Sequence, residues 1–555
     1  MIFFLLGRHR VQVCVWLAAT TFAATAPATA QSTVPPAVLF ADVTTGPTTG
    51  GPNNLGVPIS IFGSGFGASR GSSTVTIGGV PVAAYLGWGA NNALNPTLDM
   101  IVVQPGIAVS GGPIVVTVGG QSSNADVAFA ANAGRIRYVS ASGSDSSPCT
   151  ESAPCATISH AIESSVSAPG DTILVRGAVH PEGEIWVRRE YGHGGTAEQP
   201  KTIKAYPGDN TVLANGSRPF IVDADHVTVS GFHMQNGKSL GIPDAGDANR
   251  RFGNRFINNK LIGPVSWAFI DSHGDDHLIA GNVCEATASS VGTQGHCYYI
   301  SYGDGVRVAH NIGGGTPGYG IHVFDQRRAT TDFRRVISNL VVEGNIVRAS
   351  TARSGLILSM ADEANLGNVI DGVVVRNNIM TGNNHLGMTI VGNVRNVKVY
   401  NNTFYENGRQ GLYIGSGTTL TTIDVRNNLF VQSANDVCQS NCSWYPVAHA
   451  QVAAAAVGVS VQNNGYAPGA PVLEGATDPR PVTGEVVFAN PAALDFRVAA
   501  GGGSIDRGEP LADVSVDYAG VPRPSGPAFD LGAFEAPSAV PRRAPAPPQN
   551  LRLVR

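Results

Sequence analysis

Carboxylates, imidazoles, phenols and guanidinium groups crowd one stretch of this sequence, residues 269–328, in segments that repeat. Five-residue runs recur as Trp267-Ala268-Phe269-Ile270-Asp271, Cys297-Tyr298-Tyr299-Ile300-Ser301, Gly320-Ile321-His322-Val323-Phe324, Gly355-Leu356-Ile357-Leu358-Ser359, Gly387-Met388-Thr389-Ile390-Val391 and Gly411-Leu412-Tyr413-Ile414-Gly415. Alternate side chains of an extended strand share a face. With the second and fourth residues of each run facing a core, the third faces outward. Phe269, Tyr299, His322, Ile357, Thr389 and Tyr413 then form one outer row. His273, Asp275, Asp276 and His277 follow the first run, His296, Tyr302 and Asp304 flank the second, and Asp325, Arg327 and Arg328 follow the third. These groups suit an acidic polysaccharide. Aromatic faces stack on sugar rings, arginine or calcium neutralises a uronate carboxylate, and an imidazole or phenol moves a proton. The expectation is Tyr299, His322 and Arg327 in catalysis. Phe269, His273, His296, Tyr302, Arg328 and Tyr413 are expected on the substrate, and Asp271, Asp275, Asp276, Asp304 and Asp325 on calcium. Singly, each has a plainer reading: Asp275-Asp276 after a glycine is a solvated turn, His310 a structural donor, Arg327-Arg328 an exposed pair. Their clustering on adjoining segments favours function.

Something must hold these runs in register. An element of the form apolar-x-apolar-x-x-Asn recurs with asparagines at 259, 282, 311, 345, 378, 402 and 428. The intervals fit one coil of a solenoid, the longer ones with a loop inserted. Apolar alternation fills a narrow core. Asparagine tolerates a left-handed corner and can bond its copy in the next coil, satisfying polar groups otherwise buried unpaired. The fold expected is all-β: a right-handed parallel β-helix over 137–488, opened by an amphipathic cap helix at Ile158–Val166. Residues 489–535 close it, and a disordered Pro/Arg-rich tail follows over 536–555.

The whole chain agrees. Its 555 residues include 68 Gly and only 14% charged residues, a mixture for short strands and turns, and the net charge of −4 offers no basic face for nucleic acid. Arg8-His9-Arg10, the apolar run Val11–Ala24 and Ala28-Thr29-Ala30 read as a signal peptide over 1–30, with no stable membrane span after its cleavage. Six further cysteines fall into near couples, 149 with 155, 284 with 297 and 438 with 442, plausible as local disulfides in an oxidising compartment. A secreted or periplasmic monomer is expected. Residues 36–131 alternate as β-strands with Gly-Gly turns. On Phe62-Gly63-Ser64-Gly65-Phe66-Gly67, Thr76-Ile77-Gly78-Gly79-Val80-Pro81 and Gly119-Gly120-Gln121-Ser122 this stretch resembles the immunoglobulin-like IPT/TIG family, whose domains serve as spacers, binding modules or docking surfaces. The spacer reading is the simplest.

The region 137–435 carries Ser144-Asp145, Pro169-Gly170-Asp171-Thr172-Ile173, Gly195-Thr196-Ala197-Glu198-Gln199-Pro200, Ile203-Lys204-Ala205-Tyr206-Pro207-Gly208 and the asparagine repeats. It resembles parallel β-helix proteins that include polysaccharide lyases of families six and nine. The resemblance implies β-elimination: a base removes the proton beside a uronate carboxylate neutralised by calcium, and a sugar–oxygen bond breaks. Those lyases commonly use lysine as the base, and the outer row has none. Tyr299 or His322 is left for that task, with Arg327 or Arg328 assisting. Three alternatives stay open: a glycoside hydrolase pairing Asp271 with Asp304 or Asp325, an epimerase, or a non-catalytic adhesin rod.

Overall fold

The computed structural model describes residues 34–89, 92–213, 218–235, 240–243, 249–265, 267–325, 336–360, 367–415, 421–432 and 448–537. The signal peptide, Cys438 and Cys442, Arg327, Arg328 and the tail from 538 lie outside the described residues. Among the described residues no helix is long and apolar enough to cross a membrane.

Residues 37–131 form a β-sandwich. One sheet pairs Ala37–Ala41, Ile59–Ser64, Asp99–Gln104 and Ala84–Gly89; the other is built around Gly111–Val118 and Thr74–Ile77. The alternation read from sequence sets its core: Ile59, Ile61, Val75, Ile77, Ile114 and Val116 are fully buried.

From Ile136 the chain winds as a right-handed parallel β-helix. Each coil contributes a strand to each of three faces, and like strands pair in parallel, coil upon coil. The first face runs from Ile136–Ser140 through Val373 and Val397 to Val459–Gln462. The second runs from Val179–His180 to Val482–Thr483, and the third from Ile185–Arg188 to Leu473–Glu474. The cap helix is a single turn, Ile158–Ala161, with Thr157 accepting from the His160 amide. It buries Ile158 and Ala161 against the first coils. Cys149–Cys155 and Cys284–Cys297 are disulfides, as an oxidising compartment favours.

The asparagine ladder is continuous. Asn259 Nδ2 donates to Asn282 Oδ1 at 3.1 Å, and the relay continues through Asn311, Asn345, Asn378, Asn402 and Asn428 to Asn464, ending on Asp478. One expectation needs correcting. The left-handed backbone belongs to the residue before each ladder asparagine: Asn258, Gly281, His310, Gly344, Asn377, Asn401, Asn427 and Asn463 all have positive φ. That residue turns the corner and points outward, which leaves its neighbour's amide side chain to run along the inside.

What lies outside explains its identity. Asn258 meets Asn92 of the sandwich. At Gly281 a Cβ would stand 2.7 Å from the Phe40 ring, so only glycine fits. Asn377, Asn401, Asn427 and Asn463 donate to the carbonyls of Val516, Asp530, Glu509 and Arg507. The segment 489–535 therefore does more than close the last coils. It runs back over the corner between the first two faces as a strap, burying Phe534 and Tyr518 against Val283, Ile312, Ile346 and Ile379.

The sandwich is not a tethered spacer either. It seats on the first face through Phe40, Phe62 and Leu98 against Ile257, Ala280 and Ala309. At the centre of the contact Lys204 Nζ meets Asp42 Oδ2 at 2.7 Å, both side chains 1% exposed. Pro58 and Ser230 complete the polar cluster.

Candidate functional site on the third face

Pairing on the third face aligns Asp271, Tyr299, His322, Ile357, Thr389 and Tyr413. The outer row thus holds from Tyr299 onward, but its first member is Asp271. Phe269 is fully buried, its ring 6.2 Å from that of Tyr298. It pairs one position before the core residue Ile270, where the strand enters from the corner, so its ring turns into the core. Tyr302 is also inside. The strand extends over His296–Asp304, longer than the five-residue run, and Tyr302 falls in phase with Tyr298 and Ile300.

Three predicted residues converge. The rings of His296 and His322 lie 4.2 Å apart, Tyr299 is 4.9 Å from His322, and Tyr319 is 4.7 Å from His322. Phe324 stacks on His322 from the next outward position, at 5.2 Å. The rings of His296, His322, Tyr319 and Phe324 line a cleft of about 200 Å³ together with Arg353, Ile357, Ser359, Thr293 and Gln294, and Tyr299 stands beside His322 on the neighbouring strand. Arg353 and Tyr319 were missed in the sequence because both lie in turns before their strands, one or two residues ahead of the aligned segments. The chain's return to the third face at each coil was the signal that could have found them.

The electrostatics follow from burial. Desolvation, with the Arg353 charge adding to it, pushes His296 down to about 4. Burial, reinforced by His296 and Arg353, holds His322 well below the ordinary histidine range. Both rings are neutral at pH 7. The Tyr319 backbone N–H donates to His296 Nδ1 at 3.0 Å, so the proton of that ring sits on Nε2. The Nδ1 of His322 has no protein partner among the described residues.

The remaining expected residues are placed elsewhere. His273 Nε2 lies 2.9 Å from Asp271 Oδ1 beside the cleft, a close charge contact whose angle falls outside hydrogen-bond geometry. Tyr413 is on the outer row three strands beyond His322. Asp275 pairs with Arg250 at 3.0 Å and accepts the Asp304 amide. Asp304 accepts from Ser338 and Asn339, and Asp276 occupies a left-handed turn. Asp325 ends its strand, and its side chain lies outside the described residues. Asp275, Asp276 and Asp304 stand at corners. Among the described residues they do not converge as a donor set; the one close trio of metal-type ligands is Cys149, Cys155 and His160, where the cysteines are bonded to each other. Among the described residues, Asp271, Asp275, Asp276 and Asp304 do not come together as a calcium donor set.

Residues 43–131 match the IPT/TIG domain family. A search of curated proteins finds no match. Among solved structures the chain is similar to XylC in complex with xylose (12% identity, 72% of this chain and 98% of the other, TM-score 0.40). It is similar also to a mannuronan C-5 epimerase A-module from Azotobacter vinelandii (12%, 63% and 87%, 0.37) and to a pectate lyase (14%, 73% and 97%, 0.31).

Proposed function

We propose that the chain is an exported lyase that cleaves a uronate-containing polysaccharide by β-elimination at the cleft between His322 and Arg353. The observation that carries this reading is a guanidinium facing two imidazoles held neutral, together in one cleft on the third face of the solenoid. Arg353 pairs with the uronate carboxylate and draws charge from the carbon beside it. His322, neutral, takes the proton from that carbon. The electrons of the C–H bond form a carbon–carbon double bond, the adjacent sugar–oxygen bond breaks, and Tyr299 returns a proton to the leaving oxygen. His296 donates from Nε2 to hold the substrate. No step is routed through calcium.

The test is ultraviolet absorbance of the unsaturated product across a panel of acidic polysaccharides, with and without calcium. One glycan is expected to give a rise, and Arg353→Ala to lower it about a hundredfold or more. Reducing-sugar release without absorbance would replace this reading with hydrolysis. Inversion at the uronate carbon without cleavage would make the protein an epimerase. A strict calcium requirement would remove Arg353 from its role.

A further inference from the structure

The third face continues past the cleft toward the N-terminal end of the solenoid. Pairing draws one row along it: Trp186 beside Ile221, Ile221 beside Gly241, Gly241 beside Asp271, Asp271 beside Tyr299, and Tyr299 beside His322. At about 4.8 Å per strand, these steps set Trp186 roughly 24 Å from His322 in the same outward row. Trp186 is 38% exposed there and Tyr191 56%. The Arg188 guanidinium lies 4.4 Å from the Trp186 ring centre and 5.7 Å from that of Tyr191. His193 Nδ1 lies 3.2 Å from the Trp186 carbonyl and 3.3 Å from the Arg188 amide, which ties the turn below them to the strand. With Glu163 and Glu184 these side chains line an open hollow.

We propose that this hollow is a second glycan subsite that holds a pyranose ring of the same chain whose uronate occupies the cleft. The apolar C–H face of a pyranose stacks on Trp186 and Tyr191. Arg188, positioned over both rings, meets a carboxylate or a ring hydroxyl, and Glu163 and Glu184 accept from hydroxyls on the opposite wall. Both sites belong to one row of the third face, so a polymer long enough to span the separation reaches both and a short oligomer reaches only one. Engagement of the second site then adds affinity through the linkage between them. The inference rests on the polysaccharide reading of the cleft.

Binding of oligomers of polygalacturonate and polymannuronate is measured by calorimetry on the full chain, comparing trisaccharides with decasaccharides. Trp186→Ala is expected to weaken the decasaccharide about tenfold and leave the trisaccharide unchanged. Tyr191→Ala, in a turn outside the strands, gives a smaller loss of the same kind. Arg353→Ala weakens both lengths. If Trp186→Ala and Tyr191→Ala both bind the decasaccharide as wild type while Arg353→Ala does not, the subsite falls and the cleft reading stands. If no oligomer binds the wild type, both fall.

Discussion

The first and third faces of the solenoid are built from the same coils and present opposite surfaces. On the first, outward side chains are spoken for: Lys204 and Arg255 reach into the sandwich, and Arg376 and Lys398 reach the strap. On the third, His322 lines a cleft with His296 and Arg353, and the Tyr299 ring lies 4.9 Å from it. A parallel β-helix has repeating faces by construction, so repetition alone does not say which face works. What distinguishes them among the described residues is that the sandwich and the strap seat on the first.

The largest effect expected from breaking this contrast is at the cleft. His322→Gln should lower elimination by about a hundredfold to ten-thousandfold, with the melting temperature little changed, in paired rate and thermal measurements. On the covered face the order reverses. Lys204→Met leaves the Asp42 carboxylate buried without its partner and should cost about 3–5 kcal/mol in denaturant unfolding, while the rate per folded molecule is kept. Inside the coils, Asn402→Ala strands the Val375 carbonyl and the Asn378 amide that it now satisfies. The expected loss is about 1–3 kcal/mol. Asn401→Ala, one residue earlier, removes its bonds to the strap and the one it accepts from Asn427, and should cost about 1 kcal/mol.

A pH series refines the same comparison. His277, His296, His310 and His449 are pushed down to about 4 by burial. The unfolded chain binds their protons first, so this part of the stability is complete above pH 6.5 and is lost as pH falls toward 4. The melting temperature should decline through that window. Elimination by the folded protein should persist below 6.5, because His322 stays neutral there.

Much of this was legible in residue order. The ladder asparagines, the two described disulfides, the sandwich strands and the outer row from Tyr299 onward follow from period-two alternation and spacing, which are local properties. Phe269 was misplaced because its strand enters from a corner that breaks the alternation, and Tyr302 because the five-residue run stops short of a strand that continues to Asp304 in the same phase. Arg353 escaped because turn residues have no period. The strap escaped because its contacts link residues as far apart as Asn377 and Arg523, and nothing in either stretch announces the other. The doubled asparagines at 377–378, 401–402, 427–428 and 463–464 were the nearest thing to a sign of it. The second of each pair builds the ladder, and the first turns the left-handed corner and donates to the strap.

The strap also fixes an order of events. Ser64 Oγ donates to the Ala519 carbonyl at 2.5 Å, across 455 positions of sequence. A chain that emerges from its N-terminus has its sandwich early and its coils in succession, each new coil templated by the last. The outer row of the second face, from Val283 to Leu429, waits exposed until residues 507–534 arrive. Assembly therefore finishes with a latch thrown from the last-made end to the first-made domain, and a molecule halted short of it carries a greasy flank open to its neighbours.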